Sequence, residues 1–200
     1  MSRDTLAATF LAAALVPSSA VAPRAAGPTR ADAASLQKKV TSITEHAARP
    51  TRRILRTTLT ENEVNAYLAY DAGGQLPAGV IEPVITVIGP GRLTGRAVVD
   101  LDAVRKQKPR GLLDPMNLLT GRLALTATGM LRTSDGQGRF ELETAALGPV
   151  PIPKVILQEI VGYYSRTPER PAGIAIDDPF ALPAGIREIQ VGAGRAVVIQ

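Results

Sequence analysis

The residues of this chain that could perform metal chemistry are few and widely spaced. The 200 residues contain one histidine, His46, and no cysteine. A structural zinc site needs about four Cys, His or carboxylate ligands, whereas Glu45 is the only acidic residue close to His46 in the sequence. A favourable interaction with the C-terminal end of a helix, or simple solvation, is the better interpretation of His46. We therefore expect neither a metal nor any other cofactor.

Acid–base chemistry has one candidate pair, Asp100 and Asp102, which are spaced to lie on one face of a β-strand. Hydrolases that use two carboxylates hold them on either side of a substrate cleft. The alternate residues of the same segment are apolar, which indicates that the two aspartates face water. Asp177 and Asp178 precede Pro179 and are typical of a turn. None of these carboxylates is predicted to be catalytic.

Phosphate binding and acyl transfer also lack candidates. Gly89-Pro-Gly91 and Gly95 have neither the Lys-Ser/Thr ending of a P-loop nor a strand-to-helix context, and they fit a turn and a bulge. No serine lies in a Gly-x-Ser-x-Gly elbow. The sequence therefore predicts a protein that is not an enzyme.

Composition narrows the classes of partner. The net charge of +5 permits contact with anionic polymers or membranes, but aromatic residues make up only 4% and tryptophan is absent. Because single-stranded nucleic acids and sugars are usually bound by aromatic stacking, we expect no nucleic acid partner. The absence of cysteine also removes the attachment point of a bacterial lipoprotein anchor.

The first 22 residues have the layout of a secretory signal peptide. Arg3 precedes an apolar run, Leu6–Val16, which is too short to span a bilayer, and small residues follow up to Ala22. Residues 23–30 then read as a flexible lead-in, and 31–200 as a single domain. We expect an exported, soluble protein that is periplasmic or extracellular and is not a lipoprotein.

The mature chain is predicted to begin with helices. Leu36, Val40, Ile43 and Ala47 recur at helical spacing, which indicates an amphipathic helix that Pro50 would end. After a β-like segment, Thr60-Glu-Asn-Glu63 has the pattern of a capping box and predicts a short second helix.

The centre of the chain changes to a two-residue period. Val80–Ile88 and Leu93–Val104 predict one hairpin, and residues 122–132 with 139–143 predict another, turning at Asp135–Gly138. Each has one apolar and one polar face, so we expect an antiparallel sheet that is curved or covered. Lys154–Tyr164 predicts an apolar helix, and Ile186–Val191 with Arg195–Ile199 predicts a last hairpin.

Two basic clusters flank these elements, and solvated loop charge is their default interpretation. Either could also contact anionic headgroups, at about 1 kcal/mol per basic residue near a membrane surface. The clusters are Arg49, Arg52, Arg53 and Arg56, and Arg105, Lys106, Lys108 and Arg110.

This order of elements, together with four segments, resembles bacterial members of the tubular lipid-binding (TULIP-like) superfamily, including small exported proteins of the lipomannan-elongation-factor type. The segments are Leu59–Leu68, Leu76–Val80, Val99–Asp102 and Asp178–Ile186. The resemblance implies an α+β fold in which a strongly curved antiparallel sheet of amphipathic hairpins wraps around a long N-terminal helix, with a second apolar helix near the C-terminus. It also implies an apolar groove that shields or transfers an acyl or isoprenoid chain.

On this interpretation the groove is lined by apolar residues of the first helix and of both hairpins, whereas basic residues and the apolar helix contact a membrane or a protein. The groove residues would be Leu36, Val40, Ile43, Leu93, Val99, Leu101, Leu123, Leu125, Phe140 and Leu142. The contact residues would be Arg52, Arg53, Lys106, Lys108, Ile156 and Ile160. Two alternatives remain open: the same side chains could form a filled core, and the protein could be a cell-envelope scaffold or accessory subunit that binds a protein partner.

Overall fold

A computed structural model describes residues 27–49, 53–77, 79–107, 120–168 and 170–200 and has a mixed α+β fold with antiparallel sheets. The helices in these ranges are α1 (Arg30–Ala47), α2 (Glu61–Tyr70), α3 (Leu101–Gln107) and α4 (Lys154–Tyr164). The strands are β1 (Arg56–Thr60), β2 (Val80–Gly89), β3 (Arg92–Asp100), β4 (Arg122–Ser134), β5 (Gln137–Leu147), β6 (Val150–Pro151), β7 (Phe180–Ala181), β8 (Glu188–Gly192) and β9 (Arg195–Ile199). The predicted signal peptide lies outside the described residues.

Helix α1 begins where a capping box forms. Thr29 caps the helix through the amide of Asp32, and the Asp32 carboxylate accepts a hydrogen bond from the Thr29 amide. The last two residues of the predicted lead-in therefore belong to this helix and its cap. Leu36 and Ile43 are buried as expected, but Val40 is 47% exposed. Ala33 is buried as well, whereas Ala47, the last residue of the predicted stripe, is exposed.

The capping box predicted at the start of α2 is confirmed. The Thr60 hydroxyl accepts from the Glu63 amide at 3.2 Å, and the Glu63 carboxylate accepts from the Thr60 amide at 2.8 Å. Two of the unpaired amides at the helix start are thereby satisfied. The predicted bounds of α4 are observed, and the predicted final hairpin forms from β8 and β9, with β8 two residues later in its start than expected.

The two central hairpins join into one sheet with the order β2-β3-β4-β5-β6, and β7 pairs with β5. The predicted turn is tight: Asp135 and Gly136 have φ of 50° and 78°, as a two-residue hairpin turn requires. The prediction that β3 continues to Val104 is wrong. Asp100 ends the strand because its carboxylate accepts a hydrogen bond from the Ala103 amide at 3.0 Å. This contact caps the start of α3.

A second sheet, with the order β1-β9-β8, carries a cluster of buried apolar residues. Ile43 packs there with Leu182, Ile186 and Val198, all of which are less than 10% exposed. Helix α1 lies against α2 and β1. The wrapping of the larger sheet around α1 that the resemblance implies is therefore not shown.

Helix α2 covers the free edge of β2 with two side chains. The Asn65 amide donates to the Ile85 carbonyl and accepts from the Ile85 amide, both at 2.8 Å. The Glu61 carboxylate accepts from the Val87 amide, also at 2.8 Å. Because an unpaired sheet edge invites pairing with another chain, these contacts both position α2 and protect β2.

Replacing Asn65 with alanine is expected to lower the free energy of unfolding by about 2 kcal/mol, since two main-chain groups of Ile85 lose their partners. Urea unfolding measures the change, and the Ile85 amide should exchange with solvent faster. Asn62→Ala, an exposed position on the same helix, is the matched control and should cost less than about 0.5 kcal/mol. Equal unfolding midpoints for the two variants would contradict this role of Asn65.

Candidate functional site

The apolar residues of both central hairpins lie on one face of the larger sheet. Directly paired residues of antiparallel strands point to the same side, and Val99 pairs with Leu123 while Ala97 pairs with Leu125. Leu93 and Leu142 both pair with Gly129. We call this side the apolar face. It consists of Val80, Ile85, Val87, Leu93, Ala97, Val99, Leu123, Leu125, Ala127, Leu131, Phe140, Leu142, Ala145 and Leu147.

A β-bulge keeps the apolar face continuous across β5. Thr128 pairs with Thr144 and Gly129 pairs with Leu142, so Glu143 is the extra residue on β5. A one-residue shift in register moves side chains to the other side of a sheet. The bulge therefore lets Leu142 and Ala145, three positions apart, share one face.

The opposite face of the sheet carries the predicted polar residues, together with Val98, Ala124 and Met130. The hydroxyls of Thr94 and Thr128 lie 2.9 Å apart. Cross-strand ion pairs join Arg92 to Glu143, Arg132 to Glu141 and Arg122 to Asp100. This difference between the two faces identifies the apolar one as the side that needs a cover.

Asp100 and Asp102, which were expected to share one face of a strand, lie on different elements. Asp100 ends β3, whereas Asp102 lies in the first turn of α3, where it accepts from the Gly121 amide at 3.2 Å. The Ala103 amide and then Arg122 hold the pKa of Asp100 below its usual range. The contact with the Ala103 amide makes Asp100 a cap for the start of α3.

The apolar face is only partly covered by the described residues. Leu93, Val99, Leu123, Leu125, Phe140 and Leu142 are all half-buried, whereas the small residues Gly129 and Ala145 of the same face are buried. Close packing in a filled core would normally bury several large side chains completely. No large apolar side chain of the described ranges is less than 2% exposed.

One end of the apolar face meets the smaller sheet around a cavity of about 140 Å³. Leu93 and Leu131 contribute from the larger sheet, Val64 from α2, and Leu59 and Val191 from the smaller sheet. Pockets that enclose a drug-sized ligand are usually about 300–1,000 Å³. This cavity is thus too small to enclose a whole lipid, and it can hold only the end of an apolar chain.

The predicted groove residues outside the two hairpins lie elsewhere. Ile43 packs into the core of the smaller sheet, and Leu36 is buried on α1, which contacts α2 and β1. Val40 is exposed. Leu101, expected on a strand, is 8% exposed at the start of α3. The structure therefore brings together the hairpin residues of the predicted groove but does not place the α1 residues beside them.

The predicted contact residues are spread over three places. Ile156 is 49% exposed on α4, next to Val155 at 69%, and Ile160 is half-buried. Lys106 is exposed on α3, and Arg53 precedes β1. Arg52 and Lys108 lie outside the described residues.

Several residues of the site were not singled out by sequence reasoning. Among them, Gly129, Ala145 and Leu147 lie on the apolar face, on the adjacent strands β4 and β5. Position 129 on β4 already fitted the two-residue period predicted for residues 122–132. On β5, in contrast, the bulge at Glu143 interrupts that period. Ala145 and Leu147 therefore fall out of phase with Phe140 and Leu142.

The described ranges hold no group of three or more side chains suited to binding a metal ion. None of the helices there is both long and apolar enough to cross a membrane.

Comparisons with known proteins give little support to any assignment. No family model matches the chain, and no curated protein matches it. A solved structure described as the crystal structure of lipopolysaccharide binding protein aligns with 73% of this chain and 40% of its own, at 16% identity and a TM-score of 0.21. Similarity at this level says nothing about function, and the chain spans less than half the length of that protein.

Proposed function

We propose that this protein is an exported, non-enzymatic binding protein that shields or transfers an apolar acyl or isoprenoid ligand on the apolar face of its larger sheet. The observation that carries the proposal is the half-buried state of this continuous face. Six of the side chains predicted to line a groove share it, and none of the six is fully buried.

A ligand would complete the burial that the described residues leave unfinished. Covering apolar surface contributes about 25 cal/mol per Å², or about 0.8 kcal/mol for each buried CH₂ group. An acyl chain lying across β3, β4 and β5 would gain affinity in proportion to its length. The cavity beside Leu93 and Leu131 would receive the end of that chain.

The test is native mass spectrometry of the protein purified from a bacterial host, with organic extraction of any bound molecule. A phospholipid or isoprenoid mass is expected on the wild type. Leu125→Asp should abolish it, because a carboxylate on this face would have to be buried under the ligand. Thr126→Asp is the matched control: it adds the same charge at the next position, on the polar face opposite Arg96, and should retain the ligand.

Circular dichroism and thermal unfolding would show whether both variants remain folded. Leu142→Asp provides a second replacement on the apolar face for the case in which Leu125→Asp does not fold. A wild-type protein that carries no lipid, and stays without it after incubation with mixed envelope lipids, would refute the proposal. Equal lipid retention in the Leu125 and Thr126 variants would place any ligand elsewhere.

A second candidate function, a scaffold that binds a protein partner, is favoured by one observation on α4. Val155 and Ile156 of this helix and nearby Val150 are 69%, 49% and 61% exposed. Exposed apolar clusters of this kind mark protein or membrane contacts. A stoichiometric complex that survives gentle purification from the native host and is lost in Val155→Asp would support it.

A further inference from the structure

A second pocket, of about 400 Å³, lies at the C-terminal end of α1 and is lined mainly by basic residues. His46 and Arg49 line it from α1 and the residues that follow, Arg53 from the segment before β1, and Arg187 from the segment before β8. Ala47, Gly185 and Gln200 complete the lining. No carboxylate side chain is among these residues, so the side chains that line the pocket together carry positive charge.

The walls of this pocket are fixed by one buried side chain. The Nε2 group of Gln200 donates to the Ile43 carbonyl of α1 at 2.9 Å and to the Ala184 carbonyl at 2.6 Å. The main-chain N–H of the same residue, Gln200, donates to the Leu55 carbonyl at 3.0 Å. Three segments that carry basic residues are thereby held at set positions before any ligand binds, and such preorganisation lowers the cost of binding.

The positions of the basic groups are set in part by their own contacts. His46 Nε2 lies 3.0 Å from the Arg53 carbonyl, and an Arg187 nitrogen donates to the main-chain oxygen of Gln200 at 3.4 Å. Arg49 pairs with Glu45 at 3.5 Å, but both side chains are more than half exposed. An ion pair with that exposure is weak and gives way to a better partner.

Stabilisation of the end of α1 is the simplest alternative role for these cations. A helix C-terminus carries roughly half a negative charge, which one basic group in the last turn can offset. Three guanidinium groups line the pocket; Arg49 also pairs with Glu45, and Arg187 comes from a distant part of the chain. The positive charge of the three arginines together is more than the helix end requires.

We propose that this pocket binds a phosphate group, with Arg49, Arg53 and Arg187 as its main ligands. Guanidinium groups match phosphate oxygens in pairs of hydrogen bonds, and three of them around one cavity suit an anion with several acceptors. The site is distinct from the apolar face. It lies at the Arg56 end of β1, whereas the apolar cavity lies at the Thr60 end. These two ends of the strand are about 13 Å apart at the usual rise of about 3.3 Å per residue. The phosphate could belong to a soluble ester or to a lipid headgroup.

His46 provides a direct readout, because it is the only histidine in the chain and its ring signals in an NMR spectrum need no assignment. Two titrations separate the sources of phosphate. The first uses glycerol phosphate in solution. The second uses phosphatidylcholine vesicles with and without phosphatidylglycerol. Saturable shifts of the His46 ring signals are expected in at least one of them.

The double variant Arg49→Gln/Arg187→Gln should raise the dissociation constant at least about tenfold, since two charge-assisted contacts are lost. Arg139→Gln, which removes one charge at an exposed position on β5, is the control and should bind as the wild type does. Response to the soluble ester identifies a small polar ligand, and response only to phosphatidylglycerol vesicles identifies a headgroup. Unmoved His46 signals in both titrations, or an equal loss in the Arg139 variant, would overturn the proposal.

Discussion

Replacing Glu63 with glutamine should lower the free energy of unfolding at neutral pH by about 3 kcal/mol, the size expected when a buried ion pair loses one partner. The Glu63 side chain is 7% exposed and bonds Lys39 Nζ at 2.6 Å. It also accepts from the Ser35 hydroxyl at 2.6 Å and caps α2 through the Thr60 amide. This one carboxylate joins α1 to α2, so its removal leaves a half-buried ammonium without its partner.

The same contacts predict how stability depends on pH. Burial alone would raise the pKa of Glu63, but hydrogen bonds from Lys39, Ser35 and the Thr60 amide outweigh burial and lower the pKa to about 2. Because the folded pKa lies below the ordinary value of 4.5, the unfolded state binds more protons between the two values. The stabilisation is therefore complete above pH 4.5 and is lost as the pH falls to about 2.

Urea unfolding at several pH values would measure both effects. The difference between wild type and Glu63→Gln should shrink from about 3 kcal/mol at pH 7 towards zero near pH 2. Asp100, whose pKa is also lowered, is present in both proteins and does not sense Glu63, so its contribution cancels. Glu45→Gln removes an exposed carboxylate of α1 that pairs with Arg49 and should cost less than about 0.5 kcal/mol. A difference that does not change with pH would show that Glu63 acts without its charge.

Gly129→Ala should destabilise the protein by about 3 kcal/mol, at the upper end of the usual cost of overpacking. A Cβ at Gly129 would lie 2.5 Å from the Glu141 carbonyl oxygen and 2.6 Å from the Phe140 ring. The ring covers this glycine at the bulge, so either the ring or the main chain of β5 would have to move. Because Gly129 and Phe140 lie on the apolar face, the amount of bound lipid should also decrease.

Gly95→Ala is the matched control for this change. Gly95 lies on the neighbouring strand and the same face, but its Cβ would approach only the Ala127 carbonyl, at 4.0 Å. We expect a change within about 0.5 kcal/mol or a slight stabilisation, as for an unhindered glycine in a strand. Equal thermal midpoints for the two variants would show that the contact between Gly129 and Phe140 is readily relieved.

Local signals predicted much of the secondary structure. The capping box at Thr60, the turn at Asp135 and the alternating period of the central strands depend on neighbours within a few residues, so they can be read from the chain directly. The end of β3 is the instructive failure. The alternation continues through Leu101, but Asp100 can cap a helix, and this local competitor ends the strand.

The candidate site shows the same difference between local patterns, which were predicted, and contacts between elements, which were not. Alternation placed Leu93, Leu123 and Leu125 on one face without knowledge of their partners. The pairing of β3 with β4, and the bulge at Glu143, decided that this face is continuous with Leu142. Sequence periodicity shows that a side chain faces a cover but does not show which element supplies it. That is why α1 was expected beside this face but packs against α2 and β1.

The sequence by itself determined the amphipathic elements, the absence of cysteine and the scarcity of aromatic residues, because these are properties of composition and short-range spacing. Only the tertiary structure decided that the hairpins form one sheet, that this sheet is half-covered, and that Arg49, Arg53 and Arg187 share a pocket. These features join residues up to 138 positions apart in the chain, from Arg49 to Arg187. Contacts over such distances depend on how whole elements pack, which no local pattern records.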